Sequence, residues 1–161
     1  MKIKLWVGAV GMALGLLVQP VAAGQYEDAT AAYHRKDYQT AIKLWKPLAE
    51  QGDAKAQYNL GVLDGKGRGV PRNNAKAVKW FSKAAEQGYA KAQNNLGVMY
   101  EKGWGVTKDH VQAHMWFHLA VMGGDTNAIK SYDKVSRLMT PAQIAKAQKL
   151  AIEWVAAHPK K

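Results

Sequence analysis

Laid on itself at a shift of 36 residues, the chain repeats. Ala41, Ala77 and Ala113 coincide, as do Leu44, Trp80 and Trp116, then Trp45, Phe81 and Phe117, then Gly52, Gly88 and Gly124. A fixed period of this length marks a stack of supersecondary units, each too small to bury its apolar face alone. Within one unit, Ala77, Trp80, Phe81, Ala84 and Ala85 have the i, i+3, i+4, i+7, i+8 spacing of an amphipathic helix, helix A. Ala56, Leu60 and Leu63, with their copies Ala92, Leu96 and Met99, mark a helix B that follows the glycine. The expected fold is an all-α solenoid of antiparallel helix pairs.

The helix boundaries carry their own chemistry. Asp37, Asn73 and Asp109, again 36 apart, can accept hydrogen bonds from the first free amides of helix A and read as N-caps. Gly52, Gly88 and Gly124 stand where helix A stops and read as C-terminal glycines. Gly61 and Gly97 fall inside helix B, where glycine costs about 1 kcal/mol relative to alanine. The expected compensation is close approach of helix A, with room made for Trp80 or Trp116. Gly65-Lys66-Gly67-Arg68-Gly69 and Gly103-Trp104-Gly105 read as helix-to-helix turns rather than phosphate-cradling loops, since no strand precedes them.

The run Trp80-Phe81-Ser82-Lys83-Ala84-Ala85-Glu86-Gln87-Gly88, followed by Ala90, Ala92-Gln93, Leu96-Gly97, Tyr100, Gly103, Gly105-Val106 and Asp109, closely resembles the Sel-one-like repeat, a relative of tetratricopeptide repeats. The resemblance implies a right-handed α/α solenoid that acts as a protein-binding scaffold. It covers residues 38–73 and 74–109 and a degenerate third unit, 110–139, in which Tyr132 and Asp133 replace the leucine and glycine of helix B. That helix is expected to pack differently. Residues 24–37 read as an N-terminal capping helix, with Lys36 where glycine would be easier. Residues 140–161 read as a C-terminal capping helix and basic tail. Thr140-Pro141-Ala142-Gln143 starts it well, and Ile144, Ala147, Leu150, Ala151 and Trp154 form its apolar stripe, expected to seal the end of the stack.

Residues 1–23 read as a secretory signal peptide: Lys2 and Lys4, an apolar run from Leu5 to Val18, and small residues at Val21-Ala22-Ala23. The run is shorter than the ~20 residues of a membrane span. Cleavage is expected after Ala23, leaving a periplasmic or secreted protein with no stable membrane insertion. The chain has no cysteine, so disulfides, thiol catalysis, thiolate metal sites and N-terminal Cys lipidation are excluded. Without Lys2 and Lys4, 21 basic residues face 12 acidic ones, a net charge of +9. In an exported protein this charge points away from nucleic acid and toward an acidic protein surface or an anionic cell-envelope polymer.

Catalytic chemistry is sparse. His110, His114 and His118 share one helix face, but the outer two lie about 12 Å apart, so only a pair could chelate a metal, and they read as surface histidines. Ser131-Tyr132-Asp133-Lys134 has the serine–lysine spacing of penicillin-recognising enzymes without their other motifs. No catalytic residue, metal or cofactor is expected. On helix A, Lys76, Lys79 and Lys83 lie opposite the apolar stripe. Lys43 matches Lys79 in the first unit, with Lys46 nearby, and Met115 and Leu119 match Lys79 and Lys83 in the third. The resemblance implies that this side lines the concave groove. The seven residues are therefore the candidate contacts for a partner segment, basic at one end and apolar at the other. Trp104 is a further candidate contact, or the cover of an inter-repeat seam.

Overall fold

The computed structural model describes residues 21–159. Most of the expected signal peptide, residues 1–20, and the last two lysines lie outside them. Among the described residues there are eight helices and no strands: α1 (Val21–His34), α2 (Tyr38–Glu50), α3 (Ala54–Lys66), α4 (Asn74–Glu86), α5 (Ala90–Lys102), α6 (His110–Met122), α7 (Asn127–Ser136) and α8 (Pro141–Ala157). Successive helices from α1 to α7 pack side by side, most extensively in the pairs α1/α2, α3/α4 and α5/α6. The fold is the α/α solenoid read from the repeat.

The caps form as their residue types demand. Asp37 accepts from Thr40 N at 3.2 Å, Asn73 from Lys76 N at 2.9 Å, and Asp109 from Val111 N and Gln112 N at 2.8 and 3.1 Å. Thr140 and Gln143 close a reciprocal capping box at α8. Gly52, Gly88 and Gly124 follow their helices at φ 104°, 80° and 90°. Lys36 takes a left-handed φ of 64° at the end of α1, where the sequence favoured glycine.

The helix-internal glycines do admit helix A, but the ring they admit is the phenylalanine and not the tryptophan. A Cβ on Gly61 would stand 2.7 Å from Phe81 Cε1, and one on Gly97 2.7 Å from Phe117 Cδ1. Trp80 and Trp116 are one position, about 100°, further round the helix. Two buried glutamines add a polar clasp: Gln57 Nε2 donates to Ala49 O at 2.9 Å and Gln93 Nε2 to Ala85 O at 3.2 Å. Each thereby adds a second donor to a last-turn carbonyl that already accepts from Gly52 N or Gly88 N.

The third unit departs further than expected. Ile129 stands in the glutamine's register and is exposed, so the clasp is lost. His114, in the register of Ile42 and Val78, is fully buried rather than on the surface. It packs on Tyr132 of α7 at 4.4 Å between ring centroids, and His118 lies 5.6 Å from the same ring. Neither ring nitrogen of His114 has a hydrogen-bond partner. The α8 helix does not seal the stack by lying on α7. It lies along α6, with Leu150, Ala151 and Trp154 in the same apolar cluster as Met115, Trp116 and Leu119.

Two outcomes test this packing. Gly97→Ala, a change worth up to ~1 kcal/mol of gain in an unobstructed helix, should instead cost about 1–3 kcal/mol because its methyl meets Phe117. Urea unfolding reads the sign, and Gly97→Ala with Phe117→Leu should recover part of the loss. The pKa of His114 is held below the ordinary value by burial and, secondarily, by His118. Its contribution to stability is therefore present above the unfolded pKa of 6.5 and lost as pH falls through and below it. Melting at about pH 7.5 and about pH 5 should show a larger acid loss for the native chain than for His114→Leu.

Candidate partner-binding groove

The face of the A helices opposite their buried stripe is set by register. Lys43 of α2, Lys79 of α4 and Met115 of α6 are equivalent, as are Pro47, Lys83 and Leu119. The structure treats the two ends of this face differently. Lys43, Lys46, Lys79 and Lys83 are all exposed. Lys46 lies 4.0 Å from Glu50 on the surface, a contact worth little in water. Lys83 Nζ stands 5.0 Å from the Trp80 ring centroid, over the indole and within cation–π range.

Lys76 is committed elsewhere: its Nζ lies 3.4 Å from Oδ1 of buried Asp64 on α3. Burial pushes the Asp64 carboxyl up, against the pull of Lys76. This lysine ties α4 to α3 and is a structural member of the ridge. Met115 and Leu119 are not an open apolar end of the groove. They are 6% and 3% exposed, because α8 covers them. Their register partners Lys79 and Lys83 are exposed, and α8 is what differs at α6.

Where α8 ends, a cleft of about 800 Å³ opens between its last turn and the C-terminal turn of α4. Leu119, Met122, Gln93, Glu86 and Val155 line it, with Trp154 and His158 on the α8 side. Trp154 meets Trp116 edge-on at 6.2 Å, and the His158 ring stacks on Trp154 at 4.2 Å and 13°. His158 Nε2 reaches Glu86 Oε2 at 3.2 Å, and its Nδ1 reaches Trp154 O at 2.8 Å. This stack pins the end of α8 to α4. Trp154 Nε1 is buried without a partner, while Met122 and Val155 are 56% and 41% exposed. Sequence reasoning missed this cleft, since it depends on where α8 lies; the exposed Met122 directly before Gly123-Gly124 was its one local sign.

The other candidates resolve structurally. Lys134 Nζ is 2.6 Å from Glu101 Oε1. The hydrogen bond to Glu101 and its charge raise the Lys134 pKa, the opposite of what a proton-accepting lysine beside Ser131 needs. Burial alone would raise the Glu101 pKa, but Lys134 and Lys102 hold it below the usual carboxylate value. Among the described residues there is no group of three or more His, Asp or Glu that could hold a metal, and His114 and His118 both pack on Tyr132. Trp104 covers a seam: the Arg72 guanidinium lies 5.6 Å from its ring centroid, joining the α3–α4 and α5–α6 loops. Among the described residues no helix is long and apolar enough to cross a membrane.

Comparison with known proteins bears on the whole face. No curated protein matches the chain. Among solved structures, c5321, a protective antigen of uropathogenic Escherichia coli with an SLR fold, superposes with a TM-score of 0.79 at 28% identity. The match covers 83% of this chain and 30% of that one, so this chain spans under a third of the antigen's length. A Sel1 repeat protein from Oxalobacter formigenes superposes with a TM-score of 0.63 at 33% identity, covering 68% of this chain and 86% of that one. The Sel1 repeat matches residues 24–53, 54–89 and 90–125, a frame that opens on helix B, takes α1 as half of a unit and groups the most extensively packed pairs. Such repeats are helical scaffolds of protein–protein interaction, and on three matched units and this solenoid geometry the chain belongs to the Sel1 repeat family.

Proposed function

We propose that the chain is an exported adaptor that holds an acidic segment of a protein partner along the α2/α4 face, beside the end of α8. The observation that carries this reading is the exposed row of register partners Lys43 and Lys79 with Lys83, which lies one turn before Gln87 in the cleft lined by Leu119, Met122 and Val155. A row of one sign beside an apolar slot steers an acidic partner and then gives it something to bury. The signal-like residues 1–23 support a role in the cell envelope or outside the cell. Recognition of an anionic envelope polymer through net charge is the competing reading, and it differs in needing no particular face.

The test is capture from envelope extracts by residues 24–161 at low and high salt, beside a variant carrying Lys43→Glu, Lys79→Glu and Lys83→Glu. A discrete protein should be retained at low salt, released as salt screens the contacts, and bound at least about tenfold less by the variant. Retention that survives the triple reversal, or of polymer alone, would remove the groove from the account. Lys76 stays native here because its loss would unpair buried Asp64.

A further inference from the structure

The A-helix face already has one occupant, the chain's own α8. Its Ala147, Leu150, Ala151 and Trp154 stand at i, i+3, i+4 and i+7. They belong to the stripe with which α8 covers Met115 and Leu119, the register partners of Lys79 and Lys83. An amphipathic helix is thus the kind of segment this face accepts. The cleft continues that interface toward α4, one turn beyond Lys83, where Gln87 Nε2 donates to Lys83 O.

Backbone chemistry favours the same answer. Among the described residues there are no strands, so this face offers no sheet edge on which an extended segment could pair. Lys43, Lys79 and Lys83 supply donors, which suit side-chain carboxylates. An extended chain laid along the lysine row, away from the acceptors at the helix ends, would leave amide N–H groups desolvated and unpaired, whereas a helix satisfies them internally.

We infer that the groove takes its partner as a short amphipathic helix. One large apolar side chain fills the cleft against Leu119, Met122 and Val155, and carboxylates one turn apart face Lys79 and Lys83. This rests on the groove reading above and adds the form of the ligand.

The probe is a synthetic, fluorescently labelled, alanine-rich peptide of about sixteen residues, long enough for marginal helicity, with glutamates at one-turn spacing and a terminal tryptophan. A second peptide differs only in a central alanine replaced by proline. Anisotropy titration against residues 24–161 should show the proline peptide binding about tenfold more weakly, and Met122→Asp weakening the helical peptide by about the same factor. Equal binding of both peptides, lost in Lys79→Glu/Lys83→Glu, overturns the helical form and leaves the groove standing. Helical preference untouched by Met122→Asp overturns the seating in the cleft. Binding of neither peptide, or binding indifferent to the charge reversal, overturns the groove with it.

Discussion

A phenylalanine ring seated on a glycine backbone sets the spacing on which the rest of this solenoid depends. At Gly61/Phe81 and Gly97/Phe117 the ring occupies the space of the missing side chain, so paired helices approach more closely than two side chains would allow. Close approach buries Phe81 and Phe117 almost completely. In the same units the buried Gln57 and Gln93 reach the carbonyls of Ala49 and Ala85. The first pair has no such seat. Gln25 stands in the glycine's register and donates to Leu44 O, while Tyr26 and Tyr33 flank Trp45 with centroids 6.2 and 5.7 Å away.

The stack ends where these devices run out together. Tyr132, Asp133 and Ile129 replace Leu96, Gly97 and Gln93, and Met139 and Pro141 stand in the register of the left-handed Gly103 and Gly105. The seven-residue turn between α5 and α6 shrinks to four between α7 and α8. With no glycine seat on α7 and Ile152-Glu153 where Trp116-Phe117 stood, α8 has nothing to dock there. Its apolar stripe finds Met115, Trp116 and Leu119 instead. Ending the repeat and covering part of the groove are therefore one event.

Much of this was legible in the chain. The period, the caps and the glycines each followed from a local rule, and all returned in the structure. The ring choice did not, because adjacent aromatics at positions 80 and 81 satisfy the same periodic pattern and only the crossing of two helices separates them. Met115 and Leu119 were misread as open surface although α6 held a warning: His110–Met122 is apolar nearly all round, and such a helix is covered on more than one side. Lys76 looked like its ridge neighbours because its pairing with Asp64 is not repeated: Asp28 stands in the register of Asp64 but Thr40 in that of Lys76, and Tyr100 takes Asp64's place in the next unit.

The division of labour along the groove follows from magnitudes. Exposed lysines contribute roughly 0–1 kcal/mol each to a contact, so Lys43, Lys79 and Lys83 alone give a weak, salt-sensitive encounter. Burying one large apolar side chain gives about 1.5–3 kcal/mol, and the available place for that is the cleft beside Met122 and Val155. Because Met115 and Leu119 are already covered by α8, the apolar anchor is confined to the boundary between α8 and α4. In the proposed groove the lysines would set approach and register, and the cleft residence. A scaffold arranged in this way discriminates by where a partner carries its apolar residue relative to its carboxylates, rather than by charge alone.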